Sequence, residues 1–184
     1  MIEDVLSQWG LPAVFAGAFA EGEVAAFLGG VLAHRGFFSF ETAALAASAG
    51  AFAVDQLVFH IGRHAARFPR AARALGRPAA QALLGRLRQQ PVLTCLGFRF
   101  LYGLKTVGAL ALGASTLSPV RFAWLDLVSA LVWGHLLTGL GYGAGQAIER
   151  AFGRLELHQH LGIVLAVLAV LLLAAEVLRR RRRR

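Results

Sequence analysis

Residues 92–116, VLTCLGFRFLYGLKTVGALALGAST, are apolar enough for a bilayer, yet they carry Arg99 and Lys105 near their middle. A cation inside lipid costs roughly 2.5–3.5 kcal/mol on the most lenient scale, so it pairs, faces water or serves a function. The same stretch holds Gly97, Gly103, Gly108 and Gly113, which weaken one straight helix and suit a broken or re-entrant one. What those two cations face is therefore the question that constrains the fold most.

The surrounding composition sets the solvent. Hydrophobic residues make up 57% and charged residues 16%, with a mean hydropathy of +0.60, a balance typical of a polytopic membrane protein and unlike a soluble globule. The formal net charge of +9 sits in two blocks. Seven arginines lie from Arg63 to Arg88, and Arg179 to Arg184 is an unbroken run, while no acid occurs between Asp55 and Asp126. Basic blocks beside lipid-length apolar segments fit the positive-inside rule and anionic headgroups better than nucleic acid. The expected partners are thus membrane lipids, with anionic headgroups at Arg63–Arg88 and Arg179–Arg184, no nucleic acid, and room for a homo-oligomer.

The lone Cys95 excludes an internal disulfide framework. The six histidines show no metal-binding spacing, so neither metal nor cofactor is expected. No serine–histidine pairing or phosphatase-type histidine constellation is visible, which argues against an enzyme and leaves no catalytic residue to name. The acidic start MIEDVLSQWG lacks a cleavage pattern and argues against a signal peptide. The expected location is a bacterial-type inner membrane, with several passes and a cytoplasmic C-terminus.

The apolar segments can be threaded in order. Residues 1–10 read as an amphipathic lead-in; residues 11–35 are apolar except for Glu21 and Glu23 about Gly22, a mirror of the opening stretch with the sign reversed. Residues 41–61 are a small-residue run containing Asp55, and 62–90 are a basic amphipathic segment divided by Pro69 and Pro78. Residues 121–145 and 157–178 are long enough to cross, with a loop over 146–160 and the arginine tail at 179–184. With both basic blocks in the cytoplasm, 92–117 must start and end there, so it forms a re-entrant hairpin. By the same logic 11–35 enters and leaves from the outer side, and 41–61 crosses.

The expected fold is a single all-α polytopic membrane domain over 1–178. It has two re-entrant helical hairpins of opposite orientation and about three transmembrane helices. A faint repeat supports an inverted-repeat, transporter-like plan: Ser39, Ala51 and Gly62 share their spacing with Ser118, Ala130 and Gly141.

These residues resemble the DedA family of membrane proteins, also called the SNARE-associated or VTT-domain family, from about Phe19 to Gly145. Glu21 and Glu23 followed by Gly30 and Gly36 resemble the acidic first hairpin, and GAFAVDQLVFHIGR at 50–63 is similar to GAxxGDxxxYxxGR. RFLYGLK at 99–105 resembles RFxPGxR; Phe122, Asp126, Ala130 and Trp133 fall on FxxxN…A…W; and 141–145 matches GYxxG. Departures are Lys105 for the second arginine, Tyr102 for proline, Val54 for glycine, Phe59 for tyrosine, Asp126 for asparagine, and Glu21-Gly22 for Pro-Gly. The resemblance implies lipid translocation or proton-coupled transport, with polyprenyl phosphate or phospholipid among the cargoes.

The site residues expected for substrate and proton coupling are Glu21, Glu23, Asp55, Arg99 and Lys105. Poor solvation favours a carboxyl that takes up and releases protons, and a cation pair beside broken helix ends can hold a phosphate. The alternative is that the acids only neutralise Arg99 and Lys105, as in a non-transporting structural membrane protein.

Overall fold

The computed structural model describes residues 2–20, 22–65, 69–100 and 105–152, and every regular element among them is helical. In order these are α1 (Ile2–Ala20), α2 (Glu23–His34), α3 (Phe40–Arg63), α4 (Pro69–Leu75), α5 (Pro78–Gln89), α6 (Pro91–Gly97), a one-turn 3-10 helix (Phe98–Phe100), α7 (Lys105–Ala114) and α8 (Pro119–Phe152). Prolines open α4, α5, α6 and α8, where the missing N–H has no helical acceptor to lose. Serines cap both long helices: Ser39 Oγ accepts from the Thr42 N–H at 3.1 Å, and Ser118 Oγ accepts from the Arg121 N–H at 3.3 Å.

Two helices, α3 and α8, are long and apolar enough to cross a membrane. At 1.5 Å per residue they extend about 36 and about 51 Å. Along α8 an exposed row of Val120, Trp124, Val128, Val132, Leu136 and Leu140 recurs every fourth residue. From first to last that row covers about 30 Å, the thickness of a bilayer's hydrocarbon core. An apolar surface of this length is a liability in water and the right covering in lipid.

The two long helices run antiparallel and meet through small and flat groups. Gly134 of α8 lies against Ser48, and Phe59 stacks on Phe122 with centroids 4.1 Å apart and planes 9° from parallel. That ring pair joins Leu83 of α5, Phe98 and Leu112 in one buried cluster. Each long helix is also approached by a short helix from the other half of the chain. Gly30 of α2 rests on the Thr138 carbonyl of α8, and Gly141 of α8 rests on the Phe27 carbonyl. Likewise Gly62 of α3 rests on the Leu110 carbonyl of α7, and Gly113 of α7 on the Phe59 carbonyl. A Cβ at any of the four would clash with backbone, so side-chain-free surfaces set the interhelical distance.

The chain folds back after α1, because Gly17 packs on Ala25 and Gly29 on Val14. It folds back again after α6, where Gly108 of α7 meets Phe98. Two boundaries differ from the sequence reading. Helix α1 runs unbroken from Ile2 through an internal Pro12, so the lead-in over 1–10 and the first arm of 11–35 are one helix. Helix α8 continues past Gly145 to Phe152, into the stretch read as a loop. There Glu149 Oε2 lies 2.8 Å from His34 Nε2, a contact that rewards the extra turns. The segment 157–178 and the tail 179–184 lie outside the described residues.

Arg63, first of the arginines expected to face headgroups, bonds within the protein. Its Nη1 donates to the Ser115 carbonyl at 2.9 Å and its Nη2 to the Leu117 carbonyl, while the guanidinium sits 5.2 Å over the Phe59 ring. It thereby fastens the loop before α8 to the end of α3.

The crossings make a paired prediction. Gly141→Ala should lower stability by about 1–3 kcal/mol, because the Phe27 carbonyl cannot retreat without opening the packed interface. Gly143→Ala meets nothing within 4 Å and should be neutral or gain up to about 1 kcal/mol of helix propensity. Thermal unfolding of the two variants in detergent checks this; equal effects would contradict the backbone-contact account.

Candidate functional site

Arg99 follows a glycine and a buried anchor, Phe98, in the 3-10 turn that ends α6, and this turn aims its side chain between α3 and α8. Its Nη2 lies 2.6 Å from Asp55 Oδ2 of α3 and 2.8 Å from Asp126 Oδ1 of α8. Side-chain exposure is 2% for Arg99, 4% for Asp55 and 0% for Asp126, so all three are removed from solvent. Gln56 Nε2 donates to Asp126 Oδ2 at 2.7 Å, and the guanidinium carbon stands 5.6 Å from the Trp133 ring centroid. Both carboxyl groups thus lie against the same guanidinium nitrogen.

The cluster is incompletely satisfied. The Asp55 contact is an ion pair without hydrogen-bond geometry, and both Asp55 Oδ2 and Arg99 Nε lack a hydrogen bond. Buried polar atoms left so cost stability. One guanidinium between two carboxyls is also neutral only if the pair carries a single proton. Removing one member of such a cluster strands the others, at a cost of about 3–5 kcal/mol.

Lys105 belongs to a different pair. It opens α7, with Nζ 3.4 Å from Glu23 Oε2 and 3.5 Å from Oε1, a loose contact by hydrogen-bond standards. The side chains are 29% and 37% exposed, in contrast to the sealed Arg99. Glu23 sits in the first turn of α2, where a carboxylate complements the helix dipole. Gly22 just before it has φ +86°, and its bare Cα faces Lys105 Nζ, with Trp133 Cζ2 3.8 Å from where a Cβ would stand. A side chain there would meet both strain and the ammonium. Trp133 therefore touches the surroundings of both charge pairs.

Of the five residues expected from the sequence, Arg99 and Asp55 come together, and Lys105 and Glu23 come together. Glu21 lies outside the described residues. The two cations do not face one another's acids: Arg99 is enclosed and Lys105 is partly open. Sequence reasoning missed Asp126 and Gln56 as site members. Asp126 had a signal, since it is the first acid after seventy residues without one and stands where asparagine was expected. Among the described residues no three His, Cys, Asp or Glu side chains gather as a metal centre would require.

Comparison with known proteins decides the lineage: the VTT domain matches residues 10–143. The chain belongs to the VTT-domain (DedA) family. Within it, the inner membrane protein YohD of Escherichia coli (strain K12) is 33% identical over 175 residues, covering 92% of this chain and 88% of YohD. No solved structure matches. The matched span contains every member of both charge pairs, so the cluster is part of this DedA chain's family domain rather than an appendage.

The charge count of this DedA membrane protein makes a differential prediction. Arg99→Ala leaves two carboxyls facing each other and should destabilise by about 3–5 kcal/mol. Asp126→Asn leaves one acid for one cation, with an amide still able to accept from Arg99, and should stay within about 1 kcal/mol of the parent. Unfolding in detergent reads both; an Arg99→Ala variant as stable as the parent would refute the buried pairing.

Proposed function

We propose that this chain translocates a lipid or lipid-linked phosphate, such as polyprenyl phosphate or a phospholipid, across the inner membrane in exchange for or together with protons. Such an activity serves envelope and membrane homeostasis. The observation that carries the reading is a guanidinium enclosed within the protein by two carboxyls from different helices, beside a looser lysine–glutamate pair. An anion reaches Arg99 only if a carboxyl lets go, and protonation of Asp55 or Asp126 is the step that loosens it. Proton binding and phosphate binding then exclude or require each other at one residue, which is the elementary condition for coupling. Lys105 and Glu23 form the accessible end of the path, where an arriving headgroup exchanges with a carboxylate.

The membrane frame follows from charge. The basic α4–α5 region and the start of α8 lie in the cytoplasm, α3 and α8 cross, and the α1–α2 and α6–α7 fold-backs are re-entrant hairpins of opposite orientation. The crossed packing of α2 on α8 and α7 on α3 supports an inverted repeat, since each half lends a short helix to the long helix of the other. YohD's description as an inner membrane protein supports the location. A second reading, a non-transporting structural protein whose charges only pair internally, is favoured by one observation: the near-complete enclosure of Arg99.

Vesicles carrying the purified chain and a labelled polyprenyl phosphate or phospholipid separate the two. The expected result is transbilayer movement that responds to an imposed pH gradient, is lost in Glu23→Gln with the protein still folded, and persists without gradient dependence in Asp126→Asn. Movement of no lipid by the folded parent chain contradicts the translocation reading.

A further inference from the structure

Away from the buried cluster, α5, the α7–α8 loop and the start of α8 enclose a pocket of about 530 Å³, a volume in the range of small-molecule sites. Arg88 enters it from α5 and Arg121 from the first turn of α8. The hydroxyl residues Ser115, Thr116 and Ser118 line the floor, and Leu84 and Leu87 line the wall. Both arginines are exposed, and among the described residues neither guanidinium has a hydrogen-bond or ion-pair partner. The floor is fixed from behind, because Arg63 holds the Ser115 and Leu117 carbonyls. Ser115 Oγ is spent inside the loop, donating to the Leu112 carbonyl and accepting from the Leu117 N–H. Thr116 and Ser118 keep hydroxyl protons to give.

Two unpaired guanidinium groups and two hydroxyl donors around one cavity match the chemistry of a phosphate, which accepts up to several charge-assisted bonds. The positive end of α8, a helix of 34 residues, adds to the same attraction. The pocket's place on the helix says which phosphate. Ser118 and Arg121 both line it, and the exposed apolar row of α8 begins between them in sequence at Val120 and continues to Trp124 and Val128. A molecule with its phosphate in the pocket would lay acyl chains along that row, with the tryptophan at the boundary as membrane anchors commonly are.

We infer that this pocket is a headgroup site for a single anionic lipid, held through its phosphate by Arg88 and Arg121. It does not depend on translocation: the pocket is more than a helical turn from Asp126, and a structural protein could bear it equally well. The site differs from a diffuse basic surface in having a defined stoichiometry and two specific residues. Occupied, it would tie α5 to the start of α8.

The test is native mass spectrometry of the full chain released from phosphatidylcholine nanodiscs containing phosphatidic acid. One phosphatidic acid should remain on the parent chain. The Arg88→Gln/Arg121→Gln variant should lose that adduct by about tenfold or more, as expected for two charge-assisted bonds. Arg70→Gln/Arg77→Gln removes the same charge from residues that do not line the pocket and should retain the adduct within about twofold. Equal loss in both double variants, or none in either, overturns the proposal in favour of non-specific surface attraction. Millimolar inorganic phosphate should leave the lipid in place; its complete displacement assigns the pocket to free phosphate and overturns the lipid assignment. Should the double variant fail to fold by gel filtration and circular dichroism, Arg88→Gln alone decides: Arg88 makes no internal bond, and an unchanged adduct there also overturns the site.

Discussion

A guanidinium taken out of water has to be matched by charge within a few ångströms, and Arg99 obtains its match from two helices that are far apart in sequence. Much else in the molecule follows from that requirement. Asp55 and Asp126 reach the same point only if α3 and α8 run antiparallel in close contact, and Ser48 against Gly134 with Phe59 against Phe122 provide that contact. Arg99 reaches it only if α6 ends in a tight turn and the chain reverses, and Phe98 buried beneath Phe122 holds the turn in place. The charge cluster is thus a cross-link between the two halves of the chain as much as a candidate site.

Glycine does for the backbone what the charges do for the side chains. At the α2–α8 and α3–α7 crossings, bare Cα atoms lie on carbonyl oxygens, and in lipid, where burying apolar surface between helices gains little, such contact is the main source of helix attraction. The outward row from Val120 to Leu140 is the kind of surface that hydrocarbon would cover. The Arg99 cluster is enclosed, while this row of α8 faces outward.

Much of this is legible in the amino-acid sequence. Cations in an apolar stretch announced a buried pair, and the acids about Gly22 and at Asp55 were the available counter-charges. The serine–alanine–glycine spacing picked out Ser39 and Ser118, which cap the long helices, and Gly62 and Gly141, which stand at the two glycine crossings. Which cation meets which acid was not legible. Counting along one helix sets Lys105 about 9 Å from Arg99, but the chain turns at Phe98–Phe100 and restarts at Lys105, so the two diverge to different acids. Asp126 was readable as an isolated acid in place of asparagine but not as a partner of Arg99, because only the antiparallel register of α3 and α8 brings it there. The length of α8 was hidden by polar residues after Gly145, where the helix carries Glu149 to His34.

The central claim is that Arg99 and Asp55 interact directly inside the membrane domain. A double-mutant cycle with Asp55→Ala, Arg99→Ala and the double variant, read from unfolding of the full chain in detergent, measures that interaction. The account predicts a coupling energy at the upper end of what contacting residues show, about 1.5–3 kcal/mol, with the double variant more stable than the sum of the single losses implies. Strict additivity of the two substitutions would contradict it.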